Sequence, residues 1–123
     1  MSGTTNRSVR FSYNWNNKLD CKAFTTIRIR DDVKYVVGEI YNVYLEEKNK
    51  PSIWLGTVEL KHKRRDRKNE LDAFTAYLDT GYSAAETRKI LERMYKVKPE
   101  SDLLLDVILM VWVKREKAPE RAN

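Results

Sequence analysis

A chain of 123 residues has room for one hydrophobic core, since domains commonly run to about 100–150 residues, and a second domain is not expected. Hydrophobic residues make up 41% and charged residues 34%, too apolar a mixture for general disorder and too charged a one for a membrane-spanning chain. The net charge is +6, and a single cysteine and a single histidine exclude an internal disulfide, a Cys-rich metal framework and a multi-histidine metal site. Cys21 reads as a packing residue, and any His-based triad would have to use His62. No cofactor and no metal is signalled. The longest apolar run, 103–113, is interrupted by Asp106 and falls short of the ~20 residues that cross a bilayer. No apolar segment follows the first charges, so no secretory leader is expected, and the expected location is the cytoplasm.

In chain order, 1–7 is Ser/Thr/Asn/Gly-rich and reads as a flexible tail, as does 116–123, leaving 8–115 for the fold. Residues 9–13 suit a first strand, and the Asn/Trp/Asn cluster in 14–19 suits a turn or short helix. A second strand over 24–30 places Thr26, Arg28 and Arg30 on one face and Thr25, Ile27 and Ile29 on the other. The second set is the expected core side. Asp31 and Asp32 open a loop that Gly38 closes, and 39–46 alternates as a third strand. After a turn over 48–51, a long fourth strand spans 52–63, with Gly56 marking a bulge or a close backbone approach.

The period then changes from two to 3.6. Leu71, Phe74 and Leu78 fall on one helical face, with Asn69 as the expected N-cap and Gly81 as the stop. Ser83 and Glu86 have capping-box spacing and start a second helix, with Ile90, Leu91 and Met94 as its buried stripe and Pro99 beyond its end. Residues 103–113, apolar on both faces, read as a covered final strand. Five strands with two helices inserted before the last describe an α+β, mainly β chain, a small closed or partly open barrel.

Two features carry chemistry. The stretch 61–68 holds six Lys/Arg (Lys61, Lys63, Arg64, Arg65, Arg67 and Lys68) against Asp66 alone, a local excess of +5. Such a block concentrates positive potential and raises the encounter rate with phosphate backbones, although a charge run is usually a solvated strand end. The other is the strand 24–30 with its approaches. Lys22, Arg28 and Arg30 can hold phosphates or base edges, while Tyr35, Trp15 and Tyr13 flank the region as stacking surfaces.

The segment with Lys22, Thr26 and Arg28 resembles the signature of the ASCH family, a branch of the PUA-like barrels, whose pattern is roughly G-x-K-x-x-T-x-R. Cys21 and Asp20 stand where the glycine is expected, and Lys22 lies one residue farther from Thr26 than the pattern has it. The later order, a VG turn at Val37 and Gly38 and a helical pair containing DTGYS from Asp79 to Ser83, is similar to the family's as well. The resemblance implies a PUA-like barrel that binds RNA or another nucleic acid. The alternative it implies is a small amidohydrolase acting on a nucleoside-like small molecule such as an N-acylated cytidine. Carried over residue by residue, the Lys/Thr/acid set of that alternative becomes Lys22, Thr26 or Thr25, and Asp79.

Overall fold

The computed structural model describes residues 7–116, so the expected tails at 1–7 and 116–123 lie almost wholly outside the described residues. Strands β1 (Ser8–Phe11), β2 (Ala23–Ile29), β3 (Ile40–Leu45), β4 (Ile53–Arg67) and β5 (Leu104–Arg115) form one sheet in the order β1-β3-β4-β5-β2. Helices α1 (Ala73–Thr80) and α2 (Ala84–Tyr95) lie between β4 and β5 in the chain. β1 runs parallel to β3 and the other three pairings are antiparallel, which makes the sheet mixed. The sheet curls into a half-barrel of an α+β fold. Of the closed and partly open forms that the sequence allows, it takes the open one. β1 and β2 remain its edges, and among the described residues no backbone ladder joins them.

Two cores result. Inside the curl, Val9, Phe11, Phe24, Tyr41, Val43, Val58, Leu60, Ile108 and Met110 come from all five strands and pack with Leu19 and Tyr35. On the outer face Ile27, Leu105 and Val107 meet Leu71, Ala76 and Leu91 from the helical segment. Both faces of β2 are therefore covered, which corrects the expectation that one is core and the other free. Phe24, Thr26 and Arg28 point inward, where Thr26 is buried and Arg28 half-buried.

The bulge expected at Gly56 is present: Val43 pairs with Gly56 but Tyr44 pairs with Trp54, so one residue of β4 is extra. Gly56 has φ 137°, and a Cβ there would stand 2.1 Å from the Lys114 carbonyl oxygen, so only glycine fits. Beyond the bulge β4 continues to Arg67 rather than stopping at 63, because β5 supplies ladder partners as far as Leu104. The basic block is thus strand as far as Arg67, with Lys68 opening the turn that follows.

The first helix starts later than its periodicity suggests. Asp72, not Asn69, is the N-cap, its side chain accepting from Thr75 N–H, and residues 68–70 form a 3-10 turn. Leu71 lies ahead of the helix, so its direction is not tied to the helical phase. It is buried, whereas Phe74 and Leu78 are 81% and 63% exposed. Thr75, Ala76, Asp79 and Thr80 take the inward face. The α2 capping box forms as its spacing predicts, between Ser83 and Glu86. Leu91 is buried, Ile90 half-buried and Met94 exposed. Cys21 is exposed, so it is not the packing residue expected. No helix among the described residues is long and apolar enough to cross a membrane.

Candidate functional site at the open seam

Where the sheet fails to close, side chains take over from backbone pairing. The Arg28 guanidinium reaches from β2 to β1, its Nη2 donating to the Arg10 carbonyl at 2.9 Å and its Nε to Thr26 Oγ1 at 2.9 Å. It also lies 4.7 Å from the centre of the Phe11 ring, whose face attracts the cation. Beside this tie is a cavity of about 60 Å³, lined by Phe11, Trp15, Lys18, Thr26, Arg28 and Asp79 among others, with Ile90 and Met94 of α2 as its far wall.

Lys18 is the residue that sequence reasoning missed. It lies in the 3-10 segment Trp15–Asp20, within which Asn16 and Asn17 have left-handed backbone (φ 56° and 53°), a conformation asparagine tolerates better than most residues. Asn14 Oδ1 accepts from Leu19 N–H, and Asn16 Nδ2 donates to the Tyr77 and Leu78 carbonyls, fastening the segment to the end of α1. Lys18 and Leu19 are thereby turned inward. The Lys18 ammonium donates to Asp79 Oδ1 at 2.8 Å, with both side chains about 95% buried, and the Thr25 hydroxyl donates to the same oxygen at 3.1 Å. Burial pushes the Lys18 ammonium below the ordinary lysine range, against the pull of Asp79, and the Arg28 charge adds to the lowering. The only sequence signal for it was a lysine between an Asn pair and a leucine, a weak cue for a buried charge.

The structure brings Thr26, Arg28 and Asp79 to one cavity and leaves Lys22 out. Lys22 is exposed ahead of β2, and its place beside the acid is taken by Lys18. Tyr35 is 4% exposed and belongs to the inner core, so it offers no stacking surface; burial raises its hydroxyl pKa. Phe74 and Tyr77 are exposed on α1, and a further aromatic group gathers around Trp15. Tyr13 and Trp15 meet edge to face at 4.8 Å and Trp15 and Tyr82 at 6.3 Å, with Tyr13 and Tyr82 exposed and Trp15 half-buried.

The basic block does not act as one patch. Strand alternation sends Lys63 and Arg65 inward and Arg64 outward, and acids come to meet them. Lys61 pairs with Glu59, Arg64 with Asp66 and Arg67 with Asp102. Lys68 is fully buried, donating to Glu92 at 2.6 Å and to the Pro99 carbonyl at 3.0 Å, so it is a core group and not a surface contact. At the end of the seam strand, Asp32 receives Arg30 Nη2 at 3.0 Å, Arg65 Nη2 at 2.6 Å and Lys63 Nζ at 3.5 Å. The hydrogen bond from Arg30, with the Arg65 and Lys63 charges, holds the Asp32 carboxyl below its ordinary value. By contrast, Lys89, Arg93, Lys96 and Lys98 are exposed on and just after α2, and none has an ion pair among the described residues.

No family model matches the chain, and neither a curated protein nor a solved structure matches it significantly.

Proposed function

We propose that the chain is a PUA-like module of ASCH type that binds single-stranded RNA along the open seam. The observation that carries this reading is Trp15, which lines the cavity together with Arg28 and meets the exposed Tyr13 and Tyr82 edge to face. Aromatic faces stack unpaired bases whatever their sequence, at about 1–3 kcal/mol per base, and a neighbouring guanidinium suits the phosphates or a base edge. The cavity favours a surface-binding role over deep enclosure: at about 60 Å³ it is well below the roughly 300 Å³ at which small-molecule pockets begin. Polarisation of a labelled single-stranded oligonucleotide tests the reading. Affinity should fall with salt at a log–log slope near −0.7 per phosphate contact, and Trp15→Ala should weaken it about tenfold or more for one lost stack. Salt-insensitive binding, or none at low salt, refutes it.

A second reading has one observation in its favour. A buried lysine with a lowered pKa, 2.8 Å from a carboxylate and sharing a cavity with Thr26, is a set able to activate a hydroxyl nucleophile. In that amidohydrolase reading the lysine is Lys18 rather than Lys22, with Thr26 as nucleophile and Asp79 as the acid. Incubation with N-acylated nucleosides is the assay. Turnover abolished by Lys18→Met and by Thr26→Ala, and kept by Lys22→Ala, supports it; absence of turnover sinks it.

A further inference from the structure

The convergence of three cations on Asp32 calls for an explanation, because the loop does not need that carboxylate for its shape. Asp31 holds the loop: its Oδ1 accepts from Val33 and Lys34 N–H, and its own N–H donates to Asp106 Oδ2. Tyr41 Oη accepts from Val36 N–H and donates to the Lys34 carbonyl, and Arg7 donates to the Val33 and Lys34 carbonyls. Asp32 takes part in none of these bonds. Its contacts are with Arg30 from β2 and with Lys63 and Arg65 from β4.

Three cations around one carboxylate leave a local excess of +2. Lys63 and Arg65 come from one strand, β4, on one side of β5, and Arg30 from the end of β2 on its other side, where its N–H donates to the Leu104 carbonyl, so their convergence is set by the sheet rather than by flexible loops. Arg30 presents both Nε and Nη2 to Asp32 Oδ2, at 3.3 and 3.0 Å, while Arg65 and Lys63 share Oδ1. Guanidinium forks and an ammonium are the donors that a tetrahedral oxyanion takes, and it has more acceptor oxygens for them than a carboxylate has.

We propose that Arg30, Lys63 and Arg65 form a phosphate-binding site for which the chain's own Asp32 carboxylate competes. Exposed ion pairs are individually weak, so a phosphate can displace a side chain that nothing else restrains. Arg30 follows Arg28 by two residues on the same face of β2, about 7 Å along the strand, so a nucleotide held at the seam can reach this site with its phosphate. The choice of a phosphodiester as the source of the phosphate rests on the nucleic-acid reading above; the site itself does not.

The test is calorimetric titration of the whole chain with pyrophosphate and, separately, with a short oligouridylate, comparing wild type with Asp32→Asn and with Glu59→Gln. Glu59 meets a single cation, Lys61, and controls for the general gain in positive charge. A tethered competitor acts at an effective concentration on the order of millimolar, so Asp32→Asn is expected to tighten binding about tenfold or more, and Glu59→Gln by less than about twofold. Adding Arg65→Ala to Asp32→Asn should remove the gain. Equal gains in the two single variants, or no gain while near-ultraviolet dichroism shows the fold retained, overturn the proposal. A gain for both ligands supports a phosphodiester source; a gain for pyrophosphate alone supports the site with a free phosphate as its ligand. If Asp32→Asn leaves the binding of both ligands unchanged while Trp15→Ala weakens oligouridylate binding, this site is overturned and the seam reading stands.

Discussion

Replacing Lys18 by methionine removes one partner of the buried pair and keeps most of the side-chain volume. Asp79, about 95% buried, would then retain only the Thr25 hydroxyl on the oxygen that now receives two donors. Breaking a buried ion pair on one side costs about 3–5 kcal/mol, whereas replacing both partners by apolar groups is often neutral or stabilising by about 1–4 kcal/mol. Lys18→Met alone should therefore lower the melting temperature by roughly 10–20 °C, and Lys18→Met/Asp79→Leu should recover most or all of that loss. Urea unfolding at pH 7 on the wild type, the two single variants and the double variant gives the coupling directly. A single substitution costing less than about 1 kcal/mol, or a double variant less stable than either single one, refutes the account of a desolvated, mutually dependent pair. The pH dependence has a definite sign. Since burial lowers the Lys18 pKa on folding, the folded chain releases this proton before the unfolded chain does, and stability contributed by the group rises as pH climbs from the folded value toward the ordinary 10.5. The double variant should lose that alkaline rise.

Three further outcomes test the fold around the site. Lys68→Ala should cost about 3–5 kcal/mol in urea melts, because it strands Glu92 beside a buried hole, while Arg67→Ala, one residue away with an exposed pair to Asp102, should stay within about 1 kcal/mol. Gly56→Ala should destabilise by about 1–3 kcal/mol or more, since its Cβ would press on the Lys114 carbonyl and φ 137° suits glycine alone; stability matching wild type would mean that the bulge is absent. Ser83→Ala and Asp72→Ala should each cost about 0.5–2 kcal/mol through loss of a helix cap, while Asn69→Ala, no longer a cap position, should be nearly silent in the same melts.

The parts of the fold legible in the sequence are those set by local chemistry. Ser83 and Glu86 announce their cap by spacing alone, Gly56 its bulge by interrupting a strand, and the alternation over β3 its two faces. What long-range packing decides was not legible. Strand periodicity shows that Thr26 and Arg28 share a face, but not that this face lies inside a curl. The apolar spacing of Leu71, Phe74 and Leu78 suggests one buried stripe, yet a helix that begins at Ala73 frees Leu71 from that phase and turns Phe74 outward. At the candidate site, Thr26, Arg28 and Asp79 could be picked from the resemblance and do line one cavity, whereas Lys18 depends on two left-handed asparagines that turn a surface lysine into the protein. The basic block misleads in the same way. A linear count gives +5, and only the folded chain brings Glu59, Asp32, Asp102 and Glu92 to meet it.

The length of β4 has a consequence of its own. β3 pairs with β4 only over the first half of that strand, the last bonds on that side being those of Leu60 with Gly38 and Glu39, while β5 accompanies it to Arg67. Past Leu60, one margin of β4 overhangs its neighbour and carries no ladder among the described residues. A bare strand margin is a template on which another chain can add itself, and long charged side chains are the usual guard against it. The run from Lys61 to Arg67 lies along that overhang. Charged side chains along a bare margin disfavour such pairing, which gives lysine and arginine a structural use there whether or not a polyanion ever touches them.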